Sequence, residues 1–163
     1  MHQKIIILDF GSQYTQLIAR RIRELNVYCE IHPWNKAPEL GAEVAGVILS
    51  GSPFSVLDQS SPKPDLSKIK GKYPLLGVCF GAQFLAENYG GKVLPSSTRE
   101  YGRAILSRVD NSHAISKGLT ENSQVWMSHG DTIKTIPNSY KVFASTEEID
   151  VAGFFVEDEK TFG

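Results

Sequence analysis

Three short apolar runs punctuate the first half of the chain: KIIILD at Lys4–Asp9, AGVILS at 45–50 and PLLGVC at 74–79. In each, four or more apolar or small residues run without alternation into a polar one. Unbroken hydrophobicity over so short a span marks a strand buried on both faces, as in parallel sheets covered by helices. Between the first two runs, Tyr14, Ile18, Ile22 and Leu25 recur at helical spacing while Arg20, Arg21, Arg23 and Glu24 fill the other faces. That spacing predicts an amphipathic helix over 14–25. Residues 27–32 (VYCEIH) alternate enough to form the next strand, and 80–89 reads as a second helix, stopped by Gly90 and Gly91.

Strand, helix and strand in repetition specify a doubly wound arrangement with right-handed crossovers. From 102 to 155 the pattern changes. Segments 104–109, 124–127, 141–145 and 151–156 read as strands, divided by turn-rich stretches such as Asp110-Asn111-Ser112 and Pro137-Asn138-Ser139. The expected fold class is therefore α/β: a doubly wound, mostly parallel sheet with flanking helices, and additional mixed or antiparallel strands in the second half. There is no internal repeat, and 50–70, where prolines and serines cluster, is the one linker-like stretch, expected as an exposed loop.

A length of 163 residues fits one domain at the usual roughly 150 residues each. Lys plus Arg number 17 against 18 for Asp plus Glu, a net charge of −1. Such a balance offers no broad positive field, so neither nucleic acid nor an anionic membrane surface is an expected partner. The apolar runs are far shorter than the roughly 20 residues of a membrane helix. Met1-His2-Gln3-Lys4 leads straight into the first run without the longer apolar stretch and cleavage site of a secretory signal, so the expected address is cytoplasmic. The two cysteines, Cys29 and Cys79, are too few for a disulfide framework and lack zinc-site spacing, which leaves room for a working thiol.

Gly77-Val78-Cys79-Phe80-Gly81 has the form G-x-C-x-G at the end of a buried strand and the start of a helix. That is the sulfur counterpart of a nucleophile elbow, in which flanking glycines admit a strained turn that lifts the nucleophile above the sheet. The helix N-terminus favours thiolate and oxyanion alike, so the Cys79 pKa is expected to be lowered. Free cysteine is also among the most often buried residue types, and the pentapeptide alone leaves a plain strand end open. An oxyanion at Cys79 needs two N–H donors: Phe80 supplies one, and the loop Ser50-Gly51-Ser52-Pro53 at the end of the adjacent strand is placed to supply the other.

The segment from Gly77 through Phe80 and Gly81 to Ala82 and Gln83 resembles the nucleophile motif of class I (triad) glutamine amidotransferases, and Ser50-Gly51-Ser52-Pro53 resembles their Ser-Gly-Gly-Pro oxyanion loop. ILDFGSQYTQL at 7–17, Arg99-Glu100-Tyr101-Gly102 and VWMSHGD at 125–131 also look like motifs of that family, in its order, so the resemblance spans essentially the whole chain. It implies that Cys79 attacks the side-chain amide of glutamine, forming a glutamyl thioester and releasing ammonia, with the Phe80 and Ser52 N–H groups on the oxyanion. Gln83 matches the substrate-contacting glutamine, and Ser128, Gly130 and Asp131 match the segment that holds the other side of the substrate. His129 does not match the triad histidine. The resemblance further implies no cofactor and no metal for this domain, ATP and Mg in a C-terminal ATP-pyrophosphatase/synthetase portion of the same enzyme, and a homodimeric parent.

Two departures stand out. Position 52 is serine where the family usually has glycine, which would strain a positive φ. The family's catalytic histidine and glutamate lie in a Phe-His-Pro-Glu-type motif shortly after a stretch like Lys160-Thr161-Phe162-Gly163, and His2, His32 and His113 do not match it. Residues 1–163 are thus expected to be an amidotransferase domain incomplete at its C-terminus and inactive by itself. Two other readings remain open: an elbow-cysteine hydrolase or redox sensor of the DJ-1/PfpI type, and a non-catalytic binding module. A sensor needs only an exposed, low-pKa cysteine and leaves Gln83 and 128–131 without a role.

Overall fold

A computed structural model of the chain describes residues 3–163, with the side chains of 97–100 excepted; those of Arg99 and Glu100 therefore lie outside the described residues. In chain order the elements are β1 (Lys4–Asp9), α1 (Thr15–Glu24), β2 (Tyr28–Pro33), β3 (Val44–Leu49), β4 (Leu75–Gly77), α2 (Phe80–Asn88), β5 (Lys92–Val109), β6 (Gln124–Thr135), β7 (Tyr140–Thr146), β8 (Gly153–Val156) and β9 (Thr161–Phe162). The strands form one sheet in the order β2-β1-β3-β4-β9-β8-β7-β5-β6. From β2 to β9 the pairings are parallel, and beyond β9 they are antiparallel.

The alternation of side chains along β1 divides the core. Ile7 packs with Ala19 and Cys29 beneath α1, while Ile6 and Leu8 face the other way and join Leu49, Leu75, Phe80 and Leu85 beneath α2. The two helices thus cover opposite faces of the sheet, which is what doubly wound means. Asp9 ties the end of β1 to the start of α1, its carboxylate accepting the Gly11 N–H at 2.9 Å and the Thr15 hydroxyl at 2.7 Å. At its far end α1 gives way to Asn26 in the left-handed region, φ 59°.

Three features differ from expectation. The loop over 50–70 is not simply exposed: Ser61, Leu66 and Ile69 are buried, and Leu66 and Ile69 belong to the core under α2. No helix links β3 to β4, so this crossover covers the sheet itself through a single helical turn, in which the Lys70 N–H donates to the Leu66 carbonyl at 2.9 Å. Lys70 Nζ then pins the turn to Glu159 at 2.7 and 3.0 Å. The segment 104–109 is only the end of an 18-residue strand, β5, which forms a long antiparallel ribbon with the 12-residue β6. Pro95 and the polar run after it conceal the first half of β5, and the pairing register shifts between Pro95 and Glu100. The two-residue β9, too short to announce itself, joins the parallel half to the antiparallel half by pairing β4 on one side and β8 on the other.

Burial separates the contributions of the two helices. Leu85 on α2 is fully buried, whereas Leu17 on α1 is 54% exposed. Leu85→Ala is expected to lower unfolding free energy by about 2–5 kcal/mol and Leu17→Ala by no more than about 0.5 kcal/mol, read from urea midpoints at unchanged m.

Candidate active site

β3 and β4 run side by side and end together, and the site lies at those ends. After Gly77 the chain reverses within two residues. The Val78 N–H donates to the Leu49 carbonyl at 2.9 Å, and the Gly81 N–H reaches the Ser50 carbonyl at 3.2 Å. A Cβ on Gly81 would lie 2.6 Å from the Leu49 carbonyl oxygen, and one on Gly77 would lie 2.6 Å from the Gly81 backbone. Only glycine allows both approaches. Cys79 sits between them at φ 53°, ψ −110°, a conformation that costs a non-glycine residue strain energy and clusters at functional sites. The G-x-C-x-G segment is an elbow in fact as well as in sequence.

The Cys79 thiol lies 3.5 Å from the Ser128 carbonyl of β6 and accepts the Phe80 N–H. Burial pushes its pKa up, the Phe80 N–H opposes that shift, and the Asp131 carboxylate raises it further. The expected lowering of this pKa is therefore wrong. The sequence shows the helix start that favours a thiolate but not the walls that strip water from the sulfur. Cys29 is 2% exposed in the core under α1, with its thiol on the Ala19 carbonyl at 3.5 Å.

Gln83, one turn beyond the nucleophile, is buried and donates from Nε2 to the Asp131 carbonyl at 2.9 Å. That bond brings α2 against β6, so Gln83 and the 128–131 segment meet although 48 residues separate the bonded pair. Phe80 turns its ring into the core against Phe10, at 5.4 Å between centroids, and offers the site only its backbone. Ser52 is not among the residues with positive φ, so serine in place of glycine carries no strain there. Its hydroxyl accepts the Phe54 N–H at 3.2 Å, and its own N–H makes no hydrogen bond among the described residues. The loop backbone lies against the nucleophile: a Cβ on Gly51 would be 3.6 Å from the Cys79 Cβ.

Two adjoining cavities, of about 780 and 520 Å³, meet at Cys79, Gln83, Tyr101, Ser128 and Asp131. The smaller also takes in Ser52 and Gly130, the larger Trp126, Ile133 and Val151. Sequence reasoning missed Tyr101 and Trp126 as walls and Ser50 as a support. A two-residue period was the available signal, since Trp126, Ser128 and Gly130 alternate along β6 and all are exposed. A cysteine on an elbow, an unspent amide hydrogen on the opposing loop and a polar wall in one cleft suit attack on a planar carbonyl group. Among the described residues no group of three or more His, Cys, Asp or Glu is placed to hold a metal.

Access separates the two thiols. Brief iodoacetamide treatment at neutral pH is expected to label Cys79 and spare Cys29, with the Cys79 rate still climbing above the pH at which an ordinary thiol levels off, because burial raises its pKa. Peptide mass spectrometry across a pH series reads both; faster labelling of Cys29 would contradict the assignment.

Comparison with known proteins places this geometry. Residues 6–163 match the family model for glutamine amidotransferase class-I. A GMP synthase [glutamine-hydrolyzing] of Phocaeicola vulgatus is 60% identical over 163 residues, which are 100% of this chain and 32% of that protein. Its counterpart in Cytophaga hutchinsonii is likewise 60% identical, again over 100% of this chain and 32% of that protein. Among solved structures, a Thermoplasma acidophilum protein described as a GMP synthase subunit superposes with a TM-score of 0.81 at 27% identity, over 99% of this chain and 82% of that one. A glutamine amidotransferase of Thermotoga maritima shares the fold, with a TM-score of 0.79 at 20% identity over 100% of this chain and 74% of that one. The chain thus spans about a third (32%) of the curated relatives' length. With the family match running through the elbow, the opposing loop and the β6 wall, this chain belongs to the class-I glutamine amidotransferase family.

Proposed function

We propose that Cys79 is the nucleophile of glutamine hydrolysis in a protein of its relatives' length, where the ammonia serves ATP- and Mg-dependent amination of XMP to GMP. The observation that carries the reading is the cysteine itself, held at φ 53° on an elbow facing a cleft, with an unspent amide on the opposing loop. The Cys79 sulfur attacks the side-chain carbonyl carbon of glutamine, and the displaced electron pair rests on the carbonyl oxygen between the Phe80 and Ser52 N–H groups. Collapse breaks the C–N bond, the nitrogen takes a proton and leaves as ammonia, and water cleaves the thioester to glutamate. Gln83 and the 128–131 segment hold the α-amino and α-carboxylate groups, with Asp131 suited to the ammonium.

A neutral, buried thiol must lose its proton before it can attack, so this chemistry depends on a base. By resemblance the base is the histidine of a His-Pro-Glu-type motif, supported by its glutamate, which is not found in residues 1–163. The raised thiol pKa counts against a redox sensor, which works through a low-pKa thiolate. The MgATP chemistry and its partner surface belong to the remaining two thirds of a protein of the relatives' size.

In the longer enzyme, Cys79→Ala is expected to abolish GMP formation from glutamine and to spare formation from added ammonium, since covalent catalysis serves only to liberate nitrogen. Equal loss of both in a folded variant would make Cys79 structural. Residues 1–163 alone are expected to turn over glutamine some 10²- to 10⁴-fold more slowly than the longer enzyme, the usual worth of acid–base assistance. A coupled glutamate assay measures this, and equal rates would place the base within these residues.

A further inference from the structure

Ser50 ends the run that forms β3, is fully buried, and lines neither cavity. A buried hydroxyl is costly unless it is hydrogen-bonded, and here it both accepts and donates. Ser50 Oγ accepts the Phe10 N–H at 3.0 Å and donates to the Gly51 carbonyl at 2.8 Å, while the Ser50 carbonyl takes the Gly81 N–H at 3.2 Å. A hydroxyl has one proton, and the Phe10 N–H can only donate; the proton is therefore committed to Gly51.

The carbonyl of Gly51 and the N–H of Ser52 belong to one peptide plane, and in a trans peptide they point in opposite directions. Holding the carbonyl toward the buried strand end turns the Ser52 N–H away from it. Glycine at 51 would otherwise let that plane rotate at little cost. We propose that Ser50 is a positioning residue that locks the 51–52 peptide and so keeps the Ser52 amide available to the oxyanion formed at Cys79. This inference rests on the glutamine-hydrolysis reading. The same residue ties the loop to the end of β1 through Phe10 and to the elbow helix through Gly81, so the two amides of the oxyanion site share one anchor.

The test compares wild type, Ser50→Ala and Ser50→Thr in the longer enzyme. Ser50→Ala is expected to lower kcat for glutamine by roughly 10²-fold, approaching loss of one oxyanion donor, with KM unchanged. Affinity for glutamate γ-semialdehyde, which Cys79 converts to a tetrahedral hemithioacetal, falls in parallel. Alkylation of Cys79 by iodoacetamide, which forms no oxyanion, keeps its rate, and Ser50→Thr, which retains the hydroxyl, recovers most of the loss. Unchanged kcat in folded Ser50→Ala, or alkylation slowed as much as turnover, overturns the proposal and leaves glutamine hydrolysis standing. A wild type that does not hydrolyse glutamine overturns both. Should Ser50→Ala not fold, the wild type decides: forming the aldehyde adduct must move the Ser52 amide proton resonance downfield, and an unmoved resonance overturns the lock.

Discussion

Backbone pressed against backbone, where the first turn of α2 meets the end of β3, is the contact on which the rest of this structure depends. The Leu49 carbonyl lies where a side chain on residue 81 would have to be, 2.6 Å from an added Cβ, and the Gly81 backbone blocks residue 77 in the same way. Because these approaches are so close, the turn between β4 and α2 can be completed in two residues, and Cys79 is forced to a positive φ that costs of order 1–3 kcal/mol. Hydrogen bonds on either side, from Val78 to Leu49 and from Gly81 to Ser50, offset that strain. Relaxing it would withdraw the sulfur from the cleft.

The same placement sets the electrostatics. A helix N-terminus stabilises nearby negative charge, and here the Phe80 N–H acts on the sulfur directly. Removing water from the thiol outweighs it, and Asp131 across the cleft adds a like charge to any thiolate. Both effects favour the protonated thiol, so a nucleophilic role for this sulfur requires a base. A resting thiol of this kind also resists oxidation, which proceeds through the thiolate.

The sequence discloses those parts of the fold whose side chains face a uniform environment. Strands β1 and β3 lie between two covered faces and so read as unbroken apolar runs, while α1 rests on the sheet by one stripe and reads at helical period. The elbow is legible because only glycine satisfies its two contacts. The part of β5 around Pro95 is not: Leu94 and Tyr101 are exposed, and Pro95 and Ser96 supply no apolar pattern. Nor is the 50–70 crossover, whose Leu66 and Ile69 are buried by a sheet that local sequence cannot see. The site shows the same division. Cys79 and Gln83 are four apart on one element, and their relation follows from helical geometry. The support Ser50 gives to Phe10 spans 40 residues, and the thiol's environment depends on Ser128 and Asp131, which reach it only when the chain is folded.

How β6 reaches Cys79 at all is a question of sheet order, because five other strands separate β6 from β3 and four from β4. Val93 of β5 and Ile133 of β6 join the core that holds Phe80, Phe84 and Leu85, so the ribbon curls over the face that α2 covers. From that position Ser128 and Asp131 approach the helix, and Gln83 secures them with its bond to the Asp131 carbonyl. One helix therefore carries Cys79 at its start and, one turn later, the side chain that fixes the facing wall. The Ser52 loop, by contrast, is fixed to β3 and β1 rather than to the body of α2. Its register with Cys79 rests on the Gly81–Ser50 bond and on glycine at 51, where an added Cβ would lie 3.6 Å from the Cys79 Cβ.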